Sequence, residues 1–131
     1  MSLSRAEINK LVEGYLDAVK SGDVDRIIGL FNDDPVVEDP IGSEPKRGHK
    51  AIRAFYAKPR NYNLFERIGV ISVSGNNAGF TFHIELEIEG KNVHVYVHEI
   101  MRFDDTGKIT SMLAVPDFGI KEQVTATFAR S

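Results

Sequence analysis

The chain reads as an α+β fold in which N-terminal helices pack on a curved, mostly antiparallel β-sheet. Apolar residues in its first part recur at helical spacing, while those in its second part alternate one by one, the period of a strand. A hairpin turn joins the two clearest strands. Helices followed by an antiparallel meander put helices or a cavity on one sheet face and solvent or a second subunit on the other.

The first helix begins at Ser4-Arg5-Ala6-Glu7, an S-x-x-E capping box, and carries its apolar stripe on Ile8, Leu11, Val12, Tyr15, Leu16 and Val19. Ser21-Gly22 ends it. Asp23 caps a second, short helix bearing Val24, Ile27, Ile28, Leu30 and Phe31, which stops before Pro35. Val36 to Asp39 form a short extended piece, with Pro40 biasing Asp39 away from helix. A turn-rich segment leads into a third helix from Gly48 to Tyr56, closed by Pro59.

The remainder is strand. A weak strand covers 64–74, with Ile68, Val70, Ile71 and Val73. The next alternates cleanly, with Ala78, Phe80, Phe82, Ile84, Leu86 and Ile88 on one face and Thr81, His83, Glu85 and Glu87 on the other. Glu89-Gly90-Lys91 turns the chain into a strand over 93–103, and Asp104-Asp105-Thr106-Gly107 turns it into the last, over about 109–115.

One domain spanning 1–131 suits a chain of 131 residues, and 42% hydrophobic residues, eight of them Phe, supply its core. The net charge of −3 arises from 16 basic and 19 acidic residues interleaved, so no basic stripe points to a nucleic-acid partner. With no Cys, disulfides, thiolate metal sites and cysteine nucleophiles are excluded. The start lacks the pattern of a secretory signal, and no apolar run approaches the ~20 residues that span a bilayer. A soluble, cytoplasmic protein without a membrane partner is expected.

Three polar residues occupy places where apolar ones are expected. In the strand over 93–103 the odd positions Val93, Val95, Val97, Met101 and Phe103 share one face, and Glu99 falls among them. Burial without a counter-charge disfavours the ionised form, so such an acid is partnered, protonated or functional. Tyr15 lies on the first helix's buried stripe, and Asp39 shares the side of Val37. Each has a plain structural explanation: Tyr15 as a core residue, Asp39 as a turn initiator before Pro40, and Glu99 as a strand-edge residue or an internal ion-pair partner of Arg102 or Lys108. His94 and His98 lie four residues apart, roughly 13 Å, too far to share a metal. No phosphate loop or nucleophile elbow is present, so metal, nucleotide and covalent chemistry are not indicated.

The segments Val37-Glu38-Asp39-Pro40-Ile41-Gly42, Gly48 with Ala54-Phe55-Tyr56, and Glu99-Ile100-Met101-Arg102-Phe103-Asp104 with Gly107 and Ile109 resemble the ketosteroid isomerase family of the cone-shaped, NTF2-like (SnoaL-like) fold. The resemblance runs from the first helix to about Ala114. It implies a cofactor-independent isomerase that moves a β,γ double bond into conjugation with a ketone. Asp39 matches the general base, Tyr15 and Glu99 match the two donors to the developing oxyanion, and Tyr56 matches a supporting residue that bonds Tyr15. The protonated acid of this family is an established case of pKa tuning; the family has Asp where this chain has Glu99. A further Tyr found on the second helix of some members corresponds to Phe31, and an aromatic of the last strand to Pro116.

The apolar wall for a hydrophobic ketone or steroid is expected from Phe55, Phe82, Ile84, Val95, Val97, Met112 and Ala114, each of which could equally be core. The family also implies a homodimer through the open sheet face, compatible with the row His94, Tyr96, His98 and Ile100. Another enzyme of the fold, polyketide cyclase-like or epoxide hydrolase-like, or a non-catalytic binder of hydrophobic small molecules, are the alternatives.

Overall fold

The computed structural model describes residues 2–118, so the expected domain limit at residue 131 lies outside the described residues. Helix α1 (Arg5–Ser21) starts at the capping box: Ser4 Oγ accepts from the Glu7 amide at 3.1 Å, and Glu7 Oε1 accepts from the Ser4 amide at 2.9 Å. Gly22 ends it in the left-handed conformation that a Cβ disfavours. Helix α2 (Val24–Ile28) is capped by Asp23 and is shorter than its apolar pattern suggests. Leu30 and Phe31 leave it because the sheet claims their backbone: the Leu30 carbonyl accepts from the Ile109 amide at 2.8 Å, and Phe31 opens a strand.

That strand, β1 (Phe31–Glu38), is followed by the two-residue β2 (Lys46–Arg47), α3 (Gly48–Tyr56), β3 (Tyr62–Ser74), β4 (Asn77–Ile88), β5 (Lys91–Phe103) and β6 (Ile109–Asp117). The six strands form one sheet in the order β2-β1-β6-β5-β4-β3. All neighbours are antiparallel except β1 and β6, which run parallel in place of a simple meander. Pro35 falls in the irregular stretch of that pair, between Phe31 and Val36, where a missing N–H interrupts no regular ladder. A register shift in β3 between Ile68 and Ser72 contains Gly69 at φ 72°, and a bulge of this kind bends the strand and helps curve the sheet. Glu89 and Gly90 both take positive φ, the signature of a type I′ turn, between β4 and β5.

The helices fill the concave face. Ile8, Val12, Leu16, Ile27 and Ile52 pack with Phe80, Met101, Phe103, Ile109 and Met112 in one buried cluster. On the convex face the environment is more varied than a row of exposed residues. Tyr96 is buried at 5% exposure, because the His83 ring lies on it at 4.3 Å and nearly parallel. His83 Nε2 is also 3.0 Å from His94 Nδ1, a pairing of adjacent strands that sequence separation does not reveal. No helix among the described residues is long and apolar enough to cross a membrane.

Candidate active site

Between α1, α3 and the concave sheet face lies a cavity of about 300 Å³ whose walls are mainly apolar. Tyr15, Asp39, Tyr56 and Glu99 all line it, together with the expected Phe55, Phe82, Ile84, Val95 and Val97. Met112 and Ala114 do not; they are core residues at 2% and 0% exposure. The reason is positional. Met112 packs under Met101, its register partner, and Ala114 sits on β6 between β5 and the end of β1. Ala114 pairs with Glu99, while its carbonyl accepts from Ile41 just beyond Asp39. Two strand intervals, roughly 10 Å, therefore separate the backbones carrying Glu99 and Asp39.

The two carboxyls sit in different surroundings. Glu99 is 2% exposed, and its Oε1 is buried without a hydrogen-bond partner. Burial, and next the nearby charge of Asp39, hold its pKa well above the usual carboxylate range. The ion pairs that would have made it structural do not form: Arg102 is exposed on β5, and Lys108 Nζ instead donates to the Gly29 carbonyl at 2.6 Å. Asp39 is half-buried just past the end of β1 and precedes Pro40 across a cis peptide bond. Burial raises its pKa too, but the Arg60 and Lys46 cations oppose the shift. When two nearby carboxyls compete for one proton, the drier and less compensated one retains it. That one is Glu99.

The Tyr15 and Tyr56 hydroxyls lie 2.6 Å apart, fully buried, with their rings edge to face. Burial foremost raises both pKa values well above the ordinary phenol value, so both hydroxyls keep their protons. Phe31, in place of the further Tyr, packs against the Tyr56 ring at 6.2 Å and adds no polar group. Pro116 lines the cavity, as do Val19, Tyr62, Phe65 and Leu86, whose membership follows from sheet curvature and not from any sequence motif. Arg60 also lines it and was not anticipated; its only sequence signal is a cation following the Pro59 that closes α3. Among the described residues, no group of three or more His, Cys, Asp or Glu side chains gathers in a way that could hold a metal ion.

Comparison with known proteins identifies the family and the fold. The SnoaL-like domain family matches residues 12–112. The chain belongs to the SnoaL-like family. A steroid Delta-isomerase of Nocardioides simplex is 32% identical over 109 residues, covering 83% of this chain and 89% of that protein. Among solved structures, the epoxide hydrolase/cyclase-like enzyme SalBIII, of pyran ring formation in the polyether salinomycin, superposes with a TM-score of 0.73. It covers 87% of this chain and 93% of its own at 22% identity, a likeness that concerns the fold. Helices on a curved, mostly antiparallel six-stranded sheet are thus the NTF2-like architecture of the SnoaL-like family.

Proposed function

We propose that this SnoaL-like protein is a steroid Delta-isomerase-like enzyme acting on a hydrophobic β,γ-unsaturated ketone. The observation that carries the reading is the pair of carboxyls in one apolar cavity, one compensated by cations and one buried without a partner. The similarity to the Nocardioides simplex isomerase supports it.

In this reading the ionised Asp39 removes the proton from the carbon between the carbonyl and the double bond. The C–H electron pair moves onto the adjacent carbonyl, whose π pair goes to oxygen, giving a dienolate. As the enolate collapses, the β,γ π pair takes the same proton back from Asp39 at the γ carbon, and the new double bond is left in conjugation. Nothing is gained or lost, so no cofactor is required. The Tyr15 hydroxyl and the protonated Glu99 donate to the oxygen as charge grows on it, and Tyr56 orients Tyr15 through the 2.6 Å contact. Positioned base catalysis is worth ~10²–10⁴-fold, and each donor aimed at an oxyanion in a dry site ~10²–10³-fold. A homodimer through the convex sheet face is part of the proposal, with Ile100 and Val115 exposed there at 42% and 41%.

The test adds a β,γ-unsaturated 3-ketosteroid and follows conjugated-enone absorbance. Turnover is expected from the wild type, and Asp39→Asn should lower kcat by at least ~10²-fold while a phenolic steroid still binds. A folded wild-type protein that produces no enone would refute the isomerase reading. Parallel loss of turnover and phenol binding in Asp39→Asn would refute the base.

A further inference from the structure

Arg60 borders three cavities. It lines the apolar one, and with Tyr62 it also lines a second of about 260 Å³ and a third of about 620 Å³. The second cavity shares Val19, Tyr56, Arg60 and Tyr62 with the apolar one, so these side chains form a common wall. Its rim carries Lys20, Lys58 and Arg60, and no Asp or Glu among the described residues. In a chain with a net charge of −3, a rim of three cations without an acid is a local reversal of the overall charge.

Arg60 is packed against Phe55 of the cavity wall, and Lys46 lies on the same ring. The Arg60 guanidinium carbon lies 5.0 Å from the centre of the Phe55 ring, and Lys46 Nζ lies 4.8 Å from it. Lys46 is engaged on the side of the base, donating to the Asp39 carbonyl at 3.4 Å. Neither cation has a carboxylate in ion-pair contact among the described residues, whereas Arg53 and Arg67 do. A ligand with its ketone between Tyr15 and Glu99 and its body against Phe55 has its outer end near Arg60. Arg60 is exposed and hydrogen-bonded with Tyr62, so a purely apolar outer end would gain no charge contact from it. An anionic oxygen group would satisfy its planar fork of donors.

We propose that the substrate is an apolar ketone bearing an anionic group, a carboxylate or a sulfate, at the end remote from the reacting carbonyl, bound by Arg60 and backed by Lys20 and Lys58. The proposal rests on the ketone site described above and adds the chemical class of its substrate.

Calorimetry with a phenolic steroid and with its D-ring sulfate and hemisuccinate esters tests it, because the phenol occupies the oxyanion site without turnover. At low ionic strength both anionic esters are expected to bind about tenfold more tightly than the parent phenol, ~1.4 kcal/mol. Near 1 M salt, where the screening length falls to ~3 Å, the preference should collapse. Arg60→Gln should abolish it, and the double variant Lys20→Gln/Lys58→Gln should reduce it. Taking the ratio of ester to parent phenol cancels any change in Asp39 that Arg60→Gln causes. A preference confined to one ester would assign the anion class. Equal or weaker binding of both esters, with the parent phenol bound, overturns the proposal; so does a preference that survives all three charge removals. If the parent phenol does not bind either, the ketone-site reading fails and carries this one with it.

Discussion

Replacing Glu99 with Leu should make the protein more stable and nearly inactive. Glu99 is 2% exposed with Oε1 unpartnered, and a buried polar atom in that state costs ~1–3 kcal/mol. Leucine has similar bulk and no polar atom, so that cost disappears. The gain has a predictable pH dependence. Burial raises the folded-state pKa of Glu99 above the ordinary 4.5, so the native form holds a proton that the unfolded chain releases. The wild type therefore has its full share of stability below about pH 4.5 and loses it as pH rises toward the folded-state pKa. The advantage of Glu99→Leu should thus be ~1–3 kcal/mol near pH 4.5, on the order of 4 °C in Tm per kcal/mol, and wider at pH 8. Circular-dichroism melts at both pH values measure it, and enone formation should fall ~10²–10³-fold in the same variant. A variant less stable than wild type at pH 8, or an advantage that shrinks as pH rises, would refute the assignment of Glu99 as a neutral, uncompensated acid.

Two further outcomes are expected. Tyr56→Phe removes the 2.6 Å contact but leaves the Tyr15 donor in place, so kcat should drop about tenfold against ~10²–10³-fold for Tyr15→Phe. Equal losses in steady-state kinetics would mean that Tyr56 itself meets the substrate. Lys46 draws the Asp39 pKa down, so Lys46→Gln should raise it; because activity is lost as pH falls through that pKa, the acid limb of the kcat/KM profile should move to higher pH. An unmoved limb, or one displaced downward, would dissociate Lys46 from the base.

What the residues disclosed was governed by how local the deciding interaction is. The capping box of α1, the turn at Glu89 and Gly90 and the alternation that singled out Glu99 each depend on a few neighbouring residues. The resemblance supplied the roles proposed for Tyr15, Asp39 and Tyr56, which strand parity and helix spacing alone left open between core, turn and chemistry. The failures share a different cause. Leu30 and Phe31 leave the helix because the Leu30 carbonyl accepts from the amide of Ile109, far along the chain, and the two residues of β2 pair only because β1 lies beside them. Met112 and Ala114 have the right parity for the cavity, but they lie in the packed core, while Pro116 further along the same strand is the residue that lines it. Arg60 reaches the cavity from an irregular connection, for which no periodicity exists.

The parallel contact between β1 and β6 has a consequence for how the protein acquires its activity. Tyr15, Asp39, Tyr56 and Glu99 come from four separate stretches, and the strand holding Asp39 is anchored to the sheet by residues Ile109 to Leu113 of the last strand. A nascent or partly refolded chain that has closed the β3–β4–β5 hairpins still lacks β6, the strand that ties the β1–β2 pair to the rest of the sheet. Joining ends so distant in sequence is the slow part of assembling such a topology. Enzymatic activity is therefore a reporter of the last native contacts to form: it should reappear after far-ultraviolet ellipticity during refolding and vanish before it during unfolding.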